Sequence, residues 1–486
     1  MTRLSSQHWV YPCSRRTFIW GTLGALSAPY LKPCPGASAP GPGREIPLNG
    51  PGARYTPQLH AAFVRRKENY GMWWPGEIYD GGAARVNYTQ EIEQAAREIG
   101  VHAEILSQPL FSLEETQNWL ESARKAQSDG LLLVLLDRQQ HAWPSVSRAL
   151  DTKIPVVAFS PVGSSFTTNT APLAKREGIF IASTDDFSQA AYGMRMLATR
   201  AKLREMRFVV IAGKERRDTQ LPFFGTRLRY IPAQAFLDEY NQIPASDEAR
   251  RIVTEYLQQA TAVHGPTEED VMNGVKSYFA ARAILDREEG DGITMDCLGA
   301  LGQTQVSLPC ISWSRMLDQG IPAACEADLG ACVSHALVQY LFGRPGFQQD
   351  PVAETSRGGL IGAHCTCPTR LRGFDHPPEP FRISHHHGKR DAVPVPRWET
   401  GHPMTVLDVL LDPPDKPPRM IVSSGKVLDN ISVPPAGGCV VSVLARLDGV
   451  EDTLDYPGFH QVFFYGNFKK ELCAYGRLTG LEVHVV

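Results

Sequence analysis

Residues 130–137 read Gly-Leu-Leu-Leu-Val-Leu-Leu-Asp, an unbroken apolar run of strand length closed by a carboxylate. A run without polar alternation has no face to give to water. It suits a strand covered on both sides, as in a parallel sheet between layers of helix. Similar runs recur at 154–160, 178–182 and 207–213, and 102–106 reads as a further strand. Segments with helical spacing fall between or before them, at 88–99, 112–128, 143–150 and 187–205. Strand and helix therefore alternate at the pace of βαβ units. Ligands of such sheets gather beyond the C-terminal strand ends, which marks Asp137, Ser160 and the loop 213–225 as a candidate rim. The loop 161–168, with Ser164, Ser165, Thr167 and Thr168, reads either as a hydroxyl or phosphate contact or as a polar turn. No GxGxxG follows the first strand, so a dinucleotide fingerprint is absent.

A second α/β portion spans 206–375, with a helix at 267–287 that repeats Val271, Val275, Phe279 and Ile284 at turn-like spacing. Three short apolar strands in it each end on a polar residue. The run 292–295 delivers Asp296, 323–325 delivers Glu326 and Asp328 ahead of a helix at 329–341, and 359–363 delivers His364. Beyond 376 helical periods give way to β-rich segments at 404–411, 420–423, 438–447 and 461–464, parted by Pro and Gly. A small antiparallel barrel or sandwich is expected there, with His460 at a strand entry. The expected fold class is α/β. Two Rossmann-like α/β domains, 40–205 and 206–375, precede a C-terminal β-rich, barrel-like domain, 376–486.

Such a division fits 486 residues, too many for one hydrophobic core. A formal charge of −3 offers no basic footprint and excludes wrapping of a nucleic-acid backbone. Arg15 and Arg16 stand before an apolar stretch at 20–28, with Ala37-Ser38-Ala39 beyond it. Residues 1–39 therefore read as a twin-arginine signal peptide, and a periplasmic or otherwise exported location follows. Removing Arg3, Arg15, Arg16 and Lys32 with that segment takes the charge from −3 to about −7. The apolar stretch falls short of the roughly 20 residues that a bilayer needs, and no later one reaches it. No membrane span is expected. Residues 40–60, rich in Gly and Pro, read as a linker or irregular arm.

Of ten cysteines, Cys13 and Cys34 fall in the signal region. The remaining eight, in a chain able to build a large core, do not form a disulfide framework. Cys365-Thr366-Cys367 is a CxC without a second close pair, which gives a zinc knuckle little support. The cysteines read mostly as small apolar fillers beside the site.

Asp296, Glu326, Asp328, His364 and His460 are the candidate site residues. Carboxylates with imidazoles are what a divalent cation needs, and the same set can move a proton on a hydroxylated substrate. Each has a plainer reading. Asp296 could make a local hydrogen bond, Asp328 could start the helix that follows, and His460, among Phe459, Phe463 and Phe464, could be a satisfied core histidine. His385, His386 and His387 alternate faces if extended, so at most His385 and His387 could serve one site. The donor set favours Mn2+ or Mg2+ and leaves Fe2+, Co2+ and Zn2+ open.

The segments GITMDCLGAL (292–301), ACEADLG (324–330), GAHCTCP (362–368) and GFHQVFFYGN (458–467) resemble the L-fucose isomerase and L-arabinose isomerase superfamily, chiefly its C-terminal region. The resemblance implies Mn2+ holding an open-chain monosaccharide while two carboxylates pass a proton between neighbouring carbons through an enediol. It would make Asp296 the first acidic residue, one methylene shorter than the usual glutamate. Asp328 would be ligand and base on the fucose pattern, or Glu326 on the arabinose pattern. His364 and His460 would be the histidine ligands. Asp296, Asp328 and Glu326 are then catalytic, and all five residues are metal ligands. The resemblance further implies a homo-oligomer, trimer or hexamer. The expected function is a divalent-metal-dependent aldose–ketose isomerase. The alternative is an exported carbohydrate-binding or carbohydrate-processing protein (hydrolase, lyase or epimerase) on the same fold, and a structural module without metal is a third possibility.

Overall fold

The apolar run beginning at Gly130 is a strand, Gly130–Leu135, buried at every residue. Its side chains divide by parity. Leu132 and Val134 enter one apolar core, and Leu131, Leu133 and Leu135 enter another on the opposite face. The computed structural model describes residues 48–67, 71–73, 78–138, 141–386, 390–411, 416–432 and 439–486. The export segment and His387 lie outside the described residues.

Gly130–Leu135 is the middle strand of an all-parallel, five-stranded sheet. In order, the sheet runs His102–Ile105, Gln58–Val64, Gly130–Leu135, Val156–Ser160, Ile179–Ser183. Counted along the chain this is 2-1-3-4-5, a doubly wound order. Gln58–Val64, beside the centre, was not anticipated, and the arm before it is no free linker. Its Gly52 and Ala53 amides donate to Asp291 at 3.0 and 2.7 Å, tying it to the second α/β portion.

A second five-stranded sheet has Arg207–Ile211 at its centre, flanked in parallel by Arg227–Ile231 and Gly292–Met295, with Ala323–Cys325 beyond the latter. Arg217–Gln220 adds an antiparallel edge, so the expected rim loop 213–225 is partly a hairpin strand.

The C-terminal β region is a closed barrel. Six antiparallel strands run in the order Pro403–Leu410, Gln461–Tyr465, Phe347–Glu354, Gly359–His364, Val441–Leu447, Arg419–Asn430, and the last pairs again with the first. Closure removes the unpaired edges that an open sheet leaves. Glu482–Val485 joins Arg419–Asn430 in parallel outside the ring. Gly359–His364, expected in the second α/β portion, thus belongs to the barrel. The α/β class, with Rossmann-like parallel sheets and a barrel near the C-terminus, is as expected.

Candidate functional site

At the end of Ala323–Cys325 the chain must leave a parallel strand and enter the helix Leu329–Phe342 within three residues. It does so with Glu326 and Ala327 in the left-handed region, at φ 62° and 56°. Side chains with a Cβ rarely adopt this conformation. The Ala327 amide is held on the Met295 carbonyl of the neighbouring strand at 2.9 Å. Asp328 caps the helix, its Oδ1 accepting from the Ala331 amide at 2.7 Å. Its other oxygen faces the barrel.

From the barrel come His460, just before Gln461–Tyr465 and also left-handed at φ 54°, Asp350 on Phe347–Glu354, and His364 at the end of Gly359–His364. His460 Nδ1 lies 2.9 Å from Asp328 Oδ2. Its Nε2 stands 3.4 Å from Glu326 Oε2 and 3.4 Å from Asp350 Oδ1. His364 Nε2 is 3.8 Å from Glu326 Oε1, and its ring meets that of His460 edge to face at 5.6 Å.

These distances set the charges. Burial disfavours a charged His460, but the Asp328 and Glu326 carboxylates outweigh it and raise its pKa to about 10. Burial likewise opposes charge on His364, and the Cys365 sulfur and Asp350 more than offset it, raising its pKa to about 9. The neighbouring His460 imidazolium, 3.4 Å away, holds Glu326 below the usual carboxylate range, against the effect of burial. Burial pushes Asp350 up, and pushes Asp408 up to about 7. Asp408 accepts from the Phe459 amide at 3.1 Å and so fixes the loop that carries His460. As placed, the single positive charge of the His460 imidazolium faces three carboxyl groups and offsets one of them.

Four of the five residues singled out in the sequence therefore meet. Asp296 does not join them. It is exposed at the end of the strand beside Ala323–Cys325, and its side chain accepts from the Gly299 amide at 3.1 Å as cap of the helix Cys297–Leu301. Its local bond prevails. Sequence reasoning missed Asp350, Asp408 and the role of Phe459. Asp350 had one usable signal. The polar stretch Thr355–Gly358 ahead of the apolar run 359–363 marks a hairpin turn, and the strand before that turn carries Asp350.

Three groups of donors, each with its ligand atoms within 4.8 Å of one another, could hold a metal ion: Glu326, His364 and His460; Cys325, His364 and Cys365; Cys310, Cys365 and His386. No particular ion is singled out by them. The described cysteines are free thiols, six of them buried.

The rim of the first sheet is taken up by its own partners. Arg66 reaches both oxygens of Asp137 at 2.6 and 3.1 Å, and Ser160 bonds Ser164 and Ser165 at 2.8 and 2.9 Å. That loop is a polar turn. A cleft of about 330 Å3 lined by Arg200, Arg204, Gln220, Phe223 and Tyr475 contains none of the acid–imidazole donors. No helix of the described residues is long and apolar enough to cross a membrane.

No family model matches the chain, and no curated protein matches it. Among solved structures it is similar to a XylFII molecule, at 13% identity over 50% of this chain and 80% of that one, with a TM-score of 0.18. It is also similar to GanP, a glucose-galactose binding protein from Geobacillus stearothermophilus (16% identity, 60% and 93% covered, TM-score 0.19). A third is the sugar-binding protein of a sugar ABC transporter from Bacillus halodurans (15%, 61% and 91%, TM-score 0.17). These likenesses are distant. The expected membership of the fucose and arabinose isomerase superfamily is withdrawn: no family model and no curated protein match the chain, and Asp296, its expected first acidic residue, is spent on a local helix cap. The aldose–ketose isomerase, its manganese ion and the assignment as a sugar-isomerising enzyme are withdrawn with it.

Proposed function

We propose that this chain is a carbohydrate-binding protein whose ligand sits on the acid–imidazole group of Glu326, Asp328, Asp350 and His460. The observation that carries the reading is the convergence of three carboxylates on one imidazole beside an exposed aromatic ring. Carboxylates accept from pairs of hydroxyls, and an imidazolium donates to a ring or hydroxyl oxygen. Phe459 stacks on His460 at a centroid distance of 4.5 Å and leaves 59% of its surface open, a flat apolar platform for the C–H face of a sugar ring. A divalent ion at Glu326, His364 and His460 is the finer form of this reading. Two imidazoles in the donor set favour a first-row transition ion over Mg2+ or Ca2+, and the ion must displace the His460 proton.

Calorimetric titration with common mono- and disaccharides, with and without chelator, tests it. Binding should weaken at least about tenfold in Glu326→Gln and in Phe459→Ala, which is roughly one charge-assisted hydrogen bond or one stacked ring. The sugar should be recovered unchanged. Failure of the wild-type chain to bind any of them at millimolar concentration would sink the reading. Export is proposed on the Arg15-Arg16 segment alone, and N-terminal sequencing of the mature chain tests it. Light scattering tests the homo-oligomer.

A further inference from the structure

Beneath the acid–imidazole group lies a second collection of donors of different chemistry. Cys310 is the first residue of the helix Cys310–Asp318, Cys365 follows Gly359–His364, and His386 ends the strand Phe381–His386. Three distant parts of the chain thus bring two sulfurs and one imidazole nitrogen within 4.8 Å of one another. All three residues are buried, at 3, 8 and 3% exposure. Cys325, at the end of Ala323–Cys325, also brings its sulfur within 4.8 Å of Cys365, in company with His364.

A thiol used as an apolar filler asks only for apolar neighbours. Cys365 has instead two other thiols within 4.8 Å and, at 3.5 Å, the Nδ1 of His364. A tetrahedral ion with metal–sulfur bonds of about 2.3 Å puts its ligand atoms roughly 3.8 Å apart. The spacing is therefore within a small side-chain adjustment of that geometry. Sulfur-rich ligation selects soft or borderline ions.

We propose that Cys310, Cys365 and His386 form a buried site for a zinc-type ion. The site is separate from the sugar-binding reading and does not depend on it. Binding replaces the thiol protons by metal–sulfur bonds and releases them to solvent, with no change of oxidation state.

The full chain, produced with zinc supplied and freed of loose metal by dialysis, is analysed for metal by mass spectrometry. This site should contribute about one zinc per chain, identified by a sulfur shell near ~2.3 Å in X-ray absorption. The zinc should disappear in Cys310→Ser and in His386→Gln, while Glu326→Gln and Cys473→Ser keep it. Circular dichroism of each variant shows which remain folded. If Cys310→Ser unfolds, His386→Gln decides. A metal-free wild-type chain with every thiol free overturns the proposal, leaving the cysteines as packing residues. A Cys310–Cys365 disulfide in the mature chain overturns it too. So does zinc that survives both cluster variants and leaves with Glu326→Gln.

Discussion

His460 Nδ1 and Asp328 Oδ2 are 2.9 Å apart across 132 residues of chain. One oxygen of Asp328 caps a helix and the other holds an imidazole of the barrel, so a single carboxylate joins the parallel sheet's helix to the ring.

Removing the imidazole should leave Glu326, Asp328 and Asp350 facing one another. His460→Gln is expected to cost about 2–3 kcal/mol. This is below the ~3–5 of a fully buried pair, because the carboxylates are 37, 30 and 30% exposed. Urea unfolding at pH 5 and pH 8 measures it. The loss should be larger at pH 5, where the imidazolium's contribution is complete, than at pH 8, where part of it is already gone.

The same imidazole makes stability depend on pH. Its folded pKa, about 10, lies above the unfolded value of roughly 6.5. Its contribution is therefore complete below about pH 6.5 and is lost as pH rises through about 10. The melting temperature followed from pH 6 to pH 10 should fall in the wild type, and more shallowly in His460→Gln. An identical slope in both would exclude His460 as the source.

Asp296 and Asp328 share one local design, a carboxylate at the end of a short strand capping the next helix through the third amide. Asp296→Ala should cost only a cap on a five-residue helix, about 0.5–1 kcal/mol, and leave sugar binding unchanged. Asp328→Ala should cost more and weaken binding. Calorimetry on the two variants separates them, and equal loss of binding would return Asp296 to the site.

His335 is fully buried on Leu329–Phe342, with neither ring nitrogen hydrogen-bonded, and burial lowers its pKa to about 3. A depressed histidine destabilises the fold as pH falls from about 6.5 toward 3, because the unfolded chain takes the proton first. His335→Leu should raise stability by about 1 kcal/mol at pH 7, since it removes an unsatisfied polar group, and by more at pH 4. Denaturant unfolding at both pH values tests this, and a destabilised variant would show that the ring's packing matters more.

Gly458 turns at φ 91°, and a Cβ there would stand 2.4 Å from Asp408 Oδ2, which is itself buried. Gly458→Ala should cost at least about 1 kcal/mol from the left-handed backbone alone. It should also weaken sugar binding, because Asp408 anchors the Phe459 amide. A thermal melt with a binding titration shows whether both effects travel together.

The parallel sheets were legible because strands buried on both faces lose their polar alternation, as Gly130–Leu135 does. Gln58–Val64 hid because Gln-Leu-His-Ala-Ala-Phe-Val mixes small and polar residues, and its two neighbouring strands supply the burial. At the site, Glu326, Asp328, His364 and His460 stood out as polar residues closing apolar runs. Asp296 carried the same signal. What parts it from Asp328 is the direction of the second carboxylate oxygen, which depends on a barrel strand more than a hundred residues away. Asp350 gave no such mark, since its pairing with Ala363 exists only once the hairpin has closed.

The donors are split between the end of a parallel sheet and the rim of a closed ring, so any occupant is gripped by two separately hydrogen-bonded frameworks. Neither can breathe at the shared face without letting go of it. Occupancy should register as slowed amide exchange in Ala323–Cys325 and Gln461–Tyr465 together, a latch rather than a lid.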